Sequence, residues 1–279
     1  MASKTIARPM SEQILVASVV ILAIAWMVPL VWIVGLSFKN SLELVVDPNA
    51  VFRFPYTLEN YADLMVTSNL GVWLRNTLIV TVTQTVLVVA ISCLAGYGFA
   101  RIDFPGRNLV FILVLMGLAI PQHAVIVPLH KMFNDWQMHN TFQALILPGL
   151  AGPFGVFLMT AYFRAIPLEI EEAAKLDNAS RFRIFWEITL PLAVPAMATL
   201  AIFTFLHSWN DYLWPLISAT RPEMYTLTVG LAATQTNIDQ SEGLGYLMAQ
   251  AVFAGLPMLI LYIFFQKYVV RAVAGAAIR

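Results

Sequence analysis

Charge is scarce in this sequence. Only 11% of its 279 residues are Asp, Glu, Lys or Arg, while 59% are hydrophobic. A soluble domain carries about a quarter charged residues, so a chain of this length lacks the polar skin that a water-facing fold needs. The acids and bases balance at 16 each, which removes any strong electrostatic pull toward nucleic acid. There is one cysteine, Cys93, so no internal disulfide can form, and inside an apolar run it reads as a small buried hydrophobe. The four histidines are scattered without metal-ligand spacing. No glycine begins a GxxxxGK[ST] phosphate loop, and no HExxH, GxSxG or pair of intramembrane aspartates occurs. Internal repeats and low-complexity segments are missing as well.

The charges that exist are bunched. Residues 13–38, 76–100, 108–130, 136–163, 188–210 and 243–266 contain no acid or base, and the shortest of these stretches has 23 residues. About 20 apolar residues suffice for a helix to cross the ~30 Å hydrocarbon layer. Backbone groups in lipid must be satisfied internally, and the ten-residue alternation of a membrane β-barrel does not appear. The reading is an all-α integral membrane chain in one domain, with six transmembrane helices near 13–37, 76–100, 108–130, 140–163, 193–217 and 245–267. Lys4 and Arg8 ahead of the first run imitate a signal peptide, but the run continues past Trp32 and is read as an uncleaved helix. Alternate links hold eleven and five basic residues. The positive-inside rule therefore places both termini, the RIDFPGR turn at 101–107 and the long link 164–192 in the cytoplasm. Trp32, Trp73, Trp136, Trp209, Trp214, Tyr212 and Tyr246 fall near expected membrane edges, as an aromatic belt would.

The link after residue 164 reads RAIPLEIEEAAKLDNASRFRIFWEITLPLAVP. Pro167 suits a first helical turn. Glu169, Glu171 and Glu172 favour the positive end of the helix dipole, and Glu171 with Lys175 is spaced for an i,i+4 pair. Ala173 and Ala174 let another surface approach closely. Asn178 can take the left-handed conformation that ends a helix. A second short helix would carry Phe182, Phe185 and Trp186 on its apolar side, and Leu190-Pro191 would turn the chain back into the membrane. The expected result is a small helix-turn-helix along the membrane surface, either an ordinary amphipathic connector or a docking knob for a soluble partner.

The spacing Glu172-Ala173-Ala174, three residues, Asn178, nine residues, Ile188, one residue, Leu190-Pro191 resembles the cytoplasmic signature of bacterial ABC importer permeases. Asn178 stands where that family has glycine. FLHSWNDYLWPL at 205–216, Tyr225 through Leu231, and Leu256-Pro257 through FFQKYVVRAVAGAA are similar to the carbohydrate-uptake branch, and within it to the smaller maltose-type permease. The resemblance implies the type I importer permease fold in the bacterial cytoplasmic membrane. It implies a coupling segment carried by Glu172, Ala173, Ala174, Asp177, Asn178, Ile188, Leu190 and Pro191 and seated on a separate ABC ATPase subunit dimer. The other implied partners are a second homologous permease, an extracytoplasmic solute-binding protein touching the outer link 219–242, and membrane lipid. It implies no cofactor in this chain, ATP and Mg being held by the ATPase. Sugars and other polyhydroxylated solutes fit, as do glycerol phosphates.

The translocation path is less defined. Asn76, Thr77, Thr81, Gln84 and Thr85 repeat at near-helical spacing, and would either line a path or bond helix to helix. Asn210 and Asp211 end the fifth run, where Asp211 would meet solute hydroxyls or cap the membrane edge. Prolines and glycines in or beside the spans predict kinks. A self-contained secondary transporter would need intramembrane charges or inverted repeats, and a membrane enzyme would need a catalytic constellation.

Overall fold

The computed structural model describes residues 10–277 apart from 41, 42, 45, 46, 48–50, 68 and 236–242. Among the described residues the regular structure is helical throughout. Thirteen helices organise the account: α1 (Met10–Ser37), α2 (Glu59–Thr67), α3 (Leu70–Arg101), α4 (Arg107–Met116), α5 (Gln122–Asp135), α6 (Phe142–Ile146), α7 (Pro153–Ala165), α8 (Leu168–Leu176), α9 (Arg181–Leu192), α10 (Val194–Asn210), α11 (Leu213–Ser218), α12 (Leu227–Gln235) and α13 (Gly243–Ala277).

Among the described residues three helices are long and apolar enough to cross a bilayer: α1, α3 and the Gly243–Ile263 part of α13. The count rises to six only if three bent pairs each make one span. Six spans with breaks at prolines are what the sequence leads one to expect, and the bent pairs locate those breaks. The chain turns by 99° between α4, with its 3₁₀ extension Gly117–Ala119, and α5, where Pro121 adopts extended ψ and starts a new helix. It turns by 44° where the 3₁₀ turn Leu147–Leu150 gives way to Pro153. Proline lacks the N–H and crowds the carbonyl four residues back, so each of these breaks has a local cause. The third bend, 71°, lies between α9 and α10 at buried Ala193, two residues beyond the expected Leu190-Pro191.

The chain forms two compact units. In the first, made of residues up to 68 and 234–256, the most apolar window of α1 is wholly exposed, and only its last residues are buried. There Lys39 is fully buried and its ammonium donates to the carbonyls of Pro55 (2.9 Å) and Arg53 and reaches Glu43 Oε1 at 3.4 Å. Asn60 Nδ2 donates to the carbonyls of Ser37 (2.9 Å) and Lys39 (2.8 Å). A buried cation is tolerated because every donor has an acceptor.

The second unit holds the functional segment and is built on α3, α7 and α10. Its core joins Cys93 and Tyr97 of α3, Met159 and Phe163 of α7, and Ala196 and Leu200 of α10, so Cys93 is the buried hydrophobe its sequence setting suggests. Gly96 allows the tightest crossing. A Cβ there would lie 2.7 Å from Met159 Cβ and 2.9 Å from the Thr160 nitrogen. The aromatic residues expected near membrane edges divide into two groups, with Tyr212 in the exposed one. Trp32 and Trp136 are exposed, but Trp73, Trp209, Trp214 and Tyr246 are buried, and Trp214 Nε1 donates to the Ala144 carbonyl at 2.8 Å.

Candidate functional site

The segment 164–192 folds as two short helices. Pro167 precedes α8 as its cap residue in extended conformation, and Glu169 and Glu171 occupy the first turn. α8 stops at Asn178, which stands at φ +57°. The Ala179 nitrogen donates to the Ala174 carbonyl (3.0 Å) and the Asn178 nitrogen to the Lys175 carbonyl (3.0 Å). These are the two bonds of a Schellman ending, and Asn is the side chain that enters the left-handed region at least cost after glycine. Asn178 thus keeps the turn that the sequence expects. Ser180 then caps α9 by accepting the Arg183 nitrogen at 3.3 Å.

α8 has two faces. Glu171 and Ala174 point inward, while Glu172, Ala173, Lys175 and Leu176 are exposed, as are Asp177 and Asn178 beyond it. Leu176 is 85% exposed and Phe182, at the start of α9, is 74% exposed. The outward face of α8 is therefore a small knob with Ala173 and Leu176 among Glu172, Lys175 and Asp177, and exposed Arg181 and Phe182 follow at the start of α9. Lipid cannot accept those charges and water does not favour those apolar tips, a combination that fits a partner of mixed character.

α9 departs from the sequence reading. Residues Ile184–Thr189 form a π-turn, and Pro191 follows two positions later. The wider turn relieves the clash that a proline ring makes with the carbonyl four residues back. It also splits the expected apolar side. Phe185 is buried against Tyr97, with ring centroids 4.8 Å apart, whereas Phe182 and Trp186 remain outside and face each other at 5.9 Å. Thr189 is buried, and Ile188 and Leu190 are half-buried behind the knob. Phe185, Trp186 and Leu190 also wall an apolar hollow of about 390 Å³ with Thr85, Cys93 and Met197.

Glu171 pairs with Arg101 rather than with Lys175. Arg101 Nε lies 2.8 Å from Glu171 Oε1, and their side chains are 9% and 4% exposed. Arg101 Nη2 donates to the Ile166 carbonyl at 2.5 Å, and Thr189 Oγ1 donates to Glu171 Oε1 at 3.4 Å. The last residue of α3 is thereby bonded to the start of α8 and, through Glu171, to α9. Helical spacing could not reveal this pair, whose members lie on different elements.

The polar stripe of α3 is occupied within the chain, mostly by backbone. At the Leu70 end, Asn76 Nδ2 donates to the carbonyls of Glu223 (2.7 Å) and Tyr225 (3.1 Å), Thr77 Oγ1 accepts the Leu227 nitrogen (2.7 Å), and Trp73 Nε1 donates to the Pro222 carbonyl (2.9 Å). Thr81 Oγ1 accepts from Ser208 Oγ at 3.3 Å. Gln84 Nε2 donates to the carbonyls of Leu145 (3.0 Å) and Ile146 (3.2 Å), which the break after α6 frees from helical bonding. Thr85 bonds back to the Thr81 carbonyl. Asn76, Thr81 and Gln84 are buried; Asn76 and Gln84 tie α3 to backbone of other segments, and Thr81 ties it to the Ser208 side chain. Exposed Asn210 bonds back to Leu206, and Asp211, half-buried, presents its carbonyl to Thr228 Oγ1 at 2.7 Å.

Residues 88–275 match the family described as binding-protein-dependent transport system inner membrane component. Among curated relatives, the diacetylchitobiose uptake system permease protein of Streptomyces coelicolor is 34% identical over 267 residues, 94% of this chain and 87% of that protein. The trehalose/maltose transport system permease protein of Thermococcus litoralis is 31% identical over 270 residues, 95% of this chain and 96% of that protein. The fold is similar to that of a chain in a bacterial ABC transporter involved in import of the acidic polysaccharide alginate, with a TM-score of 0.76 at 22% identity over 95% of this chain and 99% of that one.

Proposed function

The chain belongs to the family of binding-protein-dependent transport system inner membrane components, and on that premise we propose how it works and what it carries. It is the permease subunit of an ATP-driven ABC importer and has no ATPase site of its own. Its solute is a sugar or a related polyhydroxylated compound, a reading supported by relatives whose names specify diacetylchitobiose and trehalose/maltose uptake. A solute-binding protein delivers that solute, and hydrolysis takes place on a separate ATPase subunit pair that holds ATP and Mg. A second homologous permease completes the pore. Both termini and the 164–192 segment face the cytoplasm, as the basic-residue asymmetry favours.

The observation that carries the coupling reading is the knob: a short helix with Ala173 and Leu176 outward, flanked by Glu172 and Asp177 and ended by the left-handed Asn178. Ala173 leaves room for a cleft wall, and Glu172 offers a carboxylate to a basic group there. Ile188, Leu190 and Pro191 set the angle of α9 behind it. Asn210 and Asp211 remain the candidate contacts for solute near the opposite membrane face.

The test is assembly and stimulation. The tagged chain, coexpressed with its ATPase and partner permease, co-elutes with the ATPase in mild detergent, and Glu172→Lys or Ala173→Trp abolishes stimulated ATP hydrolysis while membrane insertion is kept. Uptake by vesicles that lack both ATP and the ATPase subunit would defeat the reading.

A further inference from the structure

The two faces of α8 do different work. Ala173 and Leu176 lie on the face turned outward, whereas Glu171 lies on the face turned toward α3. Arg101 is the last residue of α3, and the 2.8 Å contact between its Nε and Glu171 is buried. Its Nη2 holds the Ile166 carbonyl just ahead of α8, and Thr189 of the π-turn and Tyr97 of α3 also bond the carboxylate. Separating α8 from α3 would leave two uncompensated charges in a low-dielectric interior, which is far costlier than losing a surface pair.

We propose that Arg101 and Glu171 are a positioning pair that binds the docking helix to the spanning helix α3, so that displacement of the knob enters the membrane through α3 instead of being taken up in the connector. The pair contacts neither ATPase nor solute. It acts through the helices it joins, and the inference rests on the docking reading of the knob. α3 only has to be a single unbroken helix at this end, and it runs without interruption from Leu70 to Arg101.

Nitroxide labels on Glu169→Cys in α8 and Leu94→Cys in α3, both exposed positions, test this in the assembled transporter with Cys93→Ala as background. In the otherwise native chain the α8–α3 distance distribution is narrow and is the same without nucleotide and with MgATP plus vanadate. Glu171→Gln, which keeps the side chain's size, should make that distance broaden and shift on nucleotide trapping, by about 2 Å or more. The exchange Arg101→Glu with Glu171→Arg should restore the narrow, nucleotide-independent distribution. A distance in Glu171→Gln that matches the native one overturns the proposal, and so does an exchange variant no narrower than the single one. A pair that only stabilises the fold would lower the thermal midpoint yet leave the trapped and nucleotide-free distances equal, which also overturns it. Failure of the docking reading shows separately, as loss of ATPase co-elution from the native chain.

Discussion

The two ends of α3 are fastened by opposite means. At the Arg101 end the tie is a buried ion pair between two side chains. At the Leu70 end Trp73, Asn76 and Thr77 use neutral groups to hold the backbone of residues 222–227. A charge pair demands both partners and fails abruptly when one is lost. Bonds to backbone leave the loop's own side chains free to vary, since any residue but proline offers the same N–H and every residue the same carbonyl. The first arrangement suits a joint that must not slip. The second holds its segment whatever side chains that segment carries.

Three substitutions probe this contrast, in falling order of effect. Arg101→Ala leaves Glu171 buried without its cation and should destabilise the detergent-solubilised chain by about 3 kcal/mol or more, read as a lowered thermal midpoint. Loss of under about 1 kcal/mol would place the pair with ordinary surface bridges. Asn76→Leu strips the donors from the Glu223 and Tyr225 carbonyls and should cost about 1–3 kcal/mol. Hydrogen exchange should quicken in residues 223–227 and stay unchanged in α8, and equal quickening at both ends would erase the distinction. Asn178→Gly should be the mildest, stabilising by a few tenths of a kcal/mol because glycine bears φ +57° without strain. A shift of about 1 °C in the midpoint is the expected size, and a fall in the midpoint would show that the Asn178 side chain contributes beyond its backbone angle.

What the sequence disclosed depended on whether the cause was local. The charge-free runs located α1, α3 and the membrane part of α13, because length and apolarity are properties of a segment by itself. Asn178 was legible for the same reason. The bends at Pro121 and Ala193 were only partly so: proline marks where a break can occur, but the packing of neighbours sets its angle and, for α9, its position. Glu171 was assigned to Lys175 because the i,i+4 rule considers one helix, and the true partner sits at the end of another. Phe182, Phe185 and Trp186 were grouped on one side because regular helical spacing does not foresee a π-turn. The stripe Asn76, Thr81 and Gln84 is periodic in the sequence, yet Asn76 and Gln84 reach carbonyls of other segments and Thr81 accepts from Ser208 Oγ, and no property of the stripe announces those partners.

Arg101 precedes Glu171 by 70 positions, so during synthesis it leaves the ribosome well before the carboxylate that will receive it. Throughout that interval it flanks an apolar run, with Arg107 six residues on, and lacks the carboxylate it will meet. The joint between α3 and α8 can therefore close only after both helices have been made, and α3 waits with its last side chain unmatched until then.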